Sequence, residues 1–232
     1  MNWLTIVVIG FIILMIAVGY QRGFIKIALS LISMIITLFL TSFFTPHVKN
    51  FLLEETKIET SIQAEVGSYF DEIIGDSMAQ LTVGQQMKAI ENLPLPNSIL
   101  QTLKENNNSA IYETLGVDTF SDYISGYLTQ MIMSAIAFVL TFILVFVVIR
   151  IVFFALNIIS HLPIIKGINK LLGGSLGFIQ GILILWILAL ILTAFSGTEW
   201  GIELMRMVQE SQLLSAIYNN NILMKIIVGA VV

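Results

Sequence analysis

Cysteine is absent from these 232 residues, and charge is scarce: Asp, Glu, Lys and Arg together make 11% of the chain. An ordinary soluble domain carries about 25%. Without Cys there is no disulfide, no thiolate metal site and no thiol nucleophile. A net charge of −4 supplies no basic face for nucleic acid, which is excluded as a partner. Phosphate-binding glycine loops, calcium loops and nucleophile elbows are missing too, and Asp71, Glu72 and Asp76 read as a solvated helix face. The expectation is a protein that is not an enzyme and takes no cofactor or metal.

The scarcity of charge is concentrated. Residues 3–19, 27–44, 131–149 and 171–195 contain no charged side chain and are dominated by Ile, Leu, Val, Phe and Met. A helix rises about 1.5 Å per residue and a bilayer core is about 30 Å thick, so runs of this length can span it. The fold class is therefore all-α: a polytopic membrane protein with four transmembrane helices in lipid. Transporters reveal themselves by ionisable groups buried at mid-membrane, and no span here has one, so an ion-coupled carrier is disfavoured. A passive channel stays open as an alternative.

The connections set the topology. Tyr20-Gln21-Arg22-Gly23 is a tight turn, with Lys26 one helical turn on, and residues 150–170 carry Arg150, Lys166 and Lys170. These two connections are basic and hold no carboxylate. All fifteen Asp and Glu fall elsewhere, between residues 45 and 128 or after 195. The positive-inside rule then puts both termini on the extracytoplasmic side of a bacterial plasma membrane. Arg22 and Arg150 would snorkel to the headgroups. The positive flank follows the first run instead of preceding it, so this run reads as a retained helix and not a signal peptide. His47 and His161 fall on opposite faces of the membrane and cannot share a metal site.

Four units follow: a hairpin over 1–44, an extracytoplasmic helical segment over 45–128, a second transmembrane pair over 129–195, and an amphipathic tail over 196–232. In the second unit, Ile58, Ile62, Val66, Phe70 and Ile73 recur at helical spacing. Asn97 is expected to cap a short helix running to about Glu105, and Asp118 to cap the segment leading into the third span. In the tail, Trp200, Leu204, Val208 and Leu214 suit an amphipathic helix. Residues 222–232 cover only about 16 Å and cannot span, so they would dip into one leaflet or pack beside the bundle.

Polar and small residues inside the spans are the remaining candidates. Gly173, Gly177 and Gly181 are spaced four apart and line one helix face, the signature of close helix contact, within the chain or with a second copy. Ser30, Ser33, Thr37 and Thr41 form a hydroxyl stripe that packs against a neighbour or lines a water path. Gln180 can make an intramembrane hydrogen bond, and Asn157 is a further polar group.

At Arg22-Gly23-Phe24 with Ala28-Leu29-Ser30-Leu31, and again from Asn169-Lys170-Leu171-Leu172-Gly173-Gly174 to Gly181, the chain resembles the CvpA family, named for colicin V production. The resemblance implies a four-helix inner-membrane protein linked to toxin production or export and envelope functions. It also implies a scaffold or accessory with a membrane or extracytoplasmic protein partner. Some relatives carry an extracytoplasmic serine protease after the last helix. The stretch after Phe195 is too short for one, so the corresponding expectation here is an anchor for a separate protease. A homo-oligomer is a further expectation.

Overall fold

A computed structural model describes residues 2–74, 81–155 and 168–229. Asp76, Asn157, His161 and Lys166 lie outside the described residues. The described chain is all-helical: α1 (Trp3–Arg22), α2 (Phe24–Glu55), α3 (Ile58–Ile74), α4 (Val83–Glu91), α5 (Asn97–Glu105) and α6 (Ser109–Leu115) precede α7 (Phe120–Ala155) and α8 (Ile168–Ala194). The chain closes with α9 (Glu199–Glu210), α10 (Gln212–Asn219) and α11 (Ile222–Gly229). Among the described residues, α1, α2, α7 and α8 are the four helices long and apolar enough to cross a membrane.

These four pack as a bundle, α1 on α8, and α2 on α7 and α8. Their outer faces are apolar: Ile13, Phe39, Leu144, Phe154 and Leu171 are all exposed. Their inner faces carry hydroxyls, with Thr37, Thr41, Thr141 and Thr193 buried. That inversion suits lipid, which welcomes large apolar side chains and leaves polar groups to find partners inside.

The spans overrun the charge-free sequence. α2 continues from 44 to Glu55 through Pro46, although proline removes the amide that would bond the Ser42 carbonyl. Packing explains the continuation, because Leu52 is buried with Met133 and Ala137 of α7. α7 begins at Phe120, and Tyr123, Ile124, Tyr127 and Leu128 are all buried in the core. Its first turn is capped by Thr119, whose Oγ1 accepts the Asp122 amide at 3.1 Å and donates to Asp122 Oδ2 at 2.6 Å. The cap is thus Thr119 and not Asp118. Asn97 likewise is not a cap, being the first helical residue of α5. The free amide of Ser98 is satisfied from a distance, by Asn219 Oδ1 at 3.0 Å.

Helices α3 to α6 and α9 to α11 gather at the end of the bundle opposite Gly23. Val66 of α3 is buried there. The Tyr123 hydroxyl of α7 donates to the Leu103 carbonyl of α5 at 2.7 Å, and Gln130 donates to Glu59 of α3 at 2.7 Å. On the exposed surface Lys104 donates to Glu91 at 2.7 Å and holds that carboxyl below its usual range.

The tail is two amphipathic helices broken at Ser211, followed by α11, and it is stapled to the bundle. Asn2 donates to the Met207 carbonyl at 2.7 Å, and Thr5 to Ser211 at 2.9 Å. Trp186 of α8 donates to the Ile217 carbonyl at 3.1 Å, while Asn221 donates to the Trp186 carbonyl at 3.0 Å. Trp186 sits about 12 Å before the end of α8, so the tail descends beside that helix. The Tyr218 hydroxyl, buried against Thr193 at 2.7 Å, has its pKa pushed up by loss of solvent.

Asn221 holds this descent. Its amide bonds Trp186, and its oxygen accepts the amides of Leu223 and Met224 at 3.0 and 3.2 Å. Asn221→Leu strands the two amides, each of which costs about 1–3 kcal/mol when left buried, and removes the link to the Trp186 carbonyl. A clear fall in melting temperature in detergent is expected, whereas exposed Asn220→Ala should cost far less.

Candidate functional site: a glycine seam and the basic end of the bundle

The close approach of α1 and α8 is carried by glycines on both helices. A Cβ on Gly177 would lie 3.0 Å from the Gly19 Cα and closer still to the Met15 carbonyl oxygen. One on Gly173 would lie 2.8 Å from the Gly23 Cα, and one on Gly19 would lie 2.9 Å from the Gly177 Cα. The obstacles are backbone atoms, which cannot swing aside as a flexible side chain can. Gly181 is looser, its nearest neighbours being the Met15 side-chain carbons at 3.2 and 3.3 Å. The glycine face of α8 therefore meets α1 of the same chain. Bare backbone contact of this kind multiplies dispersion and Cα–H···O contacts.

Gly19 and Gly23 are the partners that sequence reasoning missed. They too are spaced four apart, but the repeat crosses the end of α1 and is hidden by the turn. Gly23 has φ +80°, a conformation side chains rarely adopt, and a Cβ there would also stand 2.6 Å from the Asn169 amide nitrogen. Its own amide donates to the Gly19 carbonyl at 2.9 Å and closes α1. Arg22 and Lys26 are exposed beside the turn, and the Lys170 ammonium lies 5.7 Å from the Tyr20 ring centroid. Arg150 sits on the same end, 5.0 Å from the Phe146 ring, with no carboxylate partner among the described residues.

The hydroxyl stripe of α2 divides in two. Thr37 donates to the Ser33 carbonyl at 2.8 Å and Thr41 to the Thr37 carbonyl at 2.7 Å, each satisfied by its own helix. Ser30 instead reaches α8, accepting a hydrogen bond from Gln180 at 3.0 Å. Ser33 is 9% exposed, and its hydroxyl has no hydrogen-bond partner among the described residues. Among the described residues, no three His, Asp or Glu side chains gather to hold a metal.

Substitution along the seam separates its positions. Gly177→Leu and Gly19→Leu should each lower thermal stability in detergent by the cost of overpacking, about 1–3 kcal/mol. Gly181→Ala and Ile182→Leu should be tolerated. Gly23→Val should reduce folded protein in the membrane more than either, since it meets both a forbidden φ and Asn169.

No curated protein and no solved structure matches the chain. The sequence model of the family described as "Colicin V production protein" does match, over residues 4–75 and 110–221. The unmatched internal stretch holds α4 and α5, the part of the opposite end most remote from the seam in sequence, and α11 lies beyond the match. With the match covering the four long apolar helices and the glycine face, the chain is a multi-pass membrane protein that belongs to the Colicin V production protein (CvpA) family.

Proposed function

We propose that the protein is a non-enzymatic scaffold of the bacterial inner membrane, both termini outside the cytoplasm, serving toxin production or export and envelope functions. It would act by contact with a membrane or extracytoplasmic protein partner. The observation that carries this reading is the state of the hydroxyl stripe. Thr37 and Thr41, which a conducting path would need to expose to water, have no exposed surface and bond their own helix. A bundle tied by backbone contact along α1 and α8 holds one shape, as a scaffold must.

Orientation rests on charge. Arg22, Lys26, Arg150 and Lys170 stand at one end of the bundle, while the described carboxylates stand on the far half of α2, on α3 to α7 and in the tail. Cysteines introduced at Asn108 and Glu199 should react with an impermeant thiol reagent in intact cells, and one at Gln21 should not. Labelling at Gln21 from outside would overturn the orientation.

The activity is tested by two measurements on the intact protein. Crosslinking in native membranes should trap a defined protein partner, and crosslinks to a second copy alone would make the scaffold a homo-oligomer. Reconstituted vesicles should pass ions no faster than empty ones. Flux above that background would favour the channel reading.

A further inference from the structure

Between α2, α7 and α8 lies a cavity of about 220 Å³, opening near the basic end of the bundle. Its polar lining is Ser30, Ser33, Gln180 and Arg150, and Met34 and Phe142 are among its apolar walls. The polar groups are graded in depth. Arg150 is exposed and follows the charge-free run of α7, whereas Ser33 lies about 14 Å along α2 from its start and Gln180 bonds Ser30, about 9 Å along the same helix.

Each polar group has capacity to spare. Gln180 uses one amide hydrogen on Ser30, leaving a second. Ser33 lines the cavity, and its hydroxyl has no hydrogen-bond partner among the described residues. The Arg150 guanidinium has a ring face but no anion. A cation toward the surface, neutral donors several ångströms deeper and apolar walls between them follow the build of a phospholipid. Its phosphate lies at the headgroup level, its ester carbonyls accept hydrogen bonds below that, and its chains are hydrocarbon. The volume is smaller than the roughly 300–1,000 Å³ of pockets that enclose a whole drug-sized ligand. It suits part of a larger amphiphile that extends into the bilayer.

We propose that this cavity is a binding site for an anionic phospholipid of the leaflet at the basic end, with Arg150 holding the phosphate and Ser33 and Gln180 the ester carbonyls. The head is anionic and not zwitterionic because Arg22, Lys26 and Lys170 crowd the same end of the bundle. An ammonium-bearing headgroup would be repelled there, while a net negative one gains from every cation within a Debye length.

Native mass spectrometry of the full chain tests the site, with phosphatidylglycerol and phosphatidylcholine of identical acyl chains added in equal amounts. The wild type should retain the anionic lipid about fivefold more than the zwitterionic one, the factor that one well-placed cation supplies. Arg150→Gln should lower that ratio by more than half, and Ser33→Ala should lower retention of the anionic lipid while leaving the melting temperature of lipid-free protein unchanged. Arg22→Gln is the control, because it removes a cation of the same end that does not line the cavity, and it should lower the ratio by less than Arg150→Gln does. Equal losses in Arg150→Gln and Arg22→Gln would reduce the effect to general surface charge and overturn the site. Equal retention of the two lipids by the wild type would overturn it as well. So would saturation of the site by inorganic phosphate alone with no lipid preference.

Discussion

Lipid offers helices almost no hydrophobic reason to associate, so a membrane bundle stands on close packing and on hydrogen bonds made inside it. Here the packing starts where α1 and α8 touch backbone to backbone over Gly19, Gly173 and Gly177. That contact fixes the position of the turn at Gly23, whose Cα and carbonyl carbon would meet any Cβ on Gly173. The turn in turn sets where α2 begins, and α2 carries Ser30 to Gln180. One line of missing side chains thus places three of the four spanning helices.

The opposite end is built by different physics. Its short helices bury Ile90, Ile99, Leu103 and Ile111 against the upper turns of α7, as a soluble core does. The tail returns to the bundle through Asn221, Trp186 and Tyr218, all hydrogen-bonded to α8 or from it. The proposed scaffold role would use both features, a firm α1–α8 contact and a broad helical cap at one end. The family match leaves out α4 and α5 of that cap.

Much of this was legible in the sequence, for physical reasons that also explain what was not. Charge-free runs mark the lipid-facing length of a helix, and all four spans lie where such runs occur. They do not mark where the helix stops, because backbone bonding continues wherever side chains find something to pack on. Leu52 and Tyr123 did so beyond the expected ends. Caps were misassigned to Asn97 and Asp118 because capping is decided by backbone angles and by distant residues such as Asn219, which local sequence does not display. The glycine face of α8 was readable from its spacing, but its partner was not, since Gly19 and Gly23 straddle a turn. Arg150 reads from sequence as an ordinary snorkelling residue. Only the structure brings it to one cavity with Ser33 and Gln180.

The central claim is that α1 and α8 are held together by mutual backbone contact within one chain. A double-mutant cycle on Gly19→Ala and Gly177→Ala, followed by thermal unfolding in detergent, tests it most directly. Each methyl alone has to force the same two backbones apart, so the second should cost much less once the first is present. The account predicts a coupling of about 0.5–3 kcal/mol, the range for residues in direct contact. Two strictly additive losses, or no loss from either alanine, would contradict it.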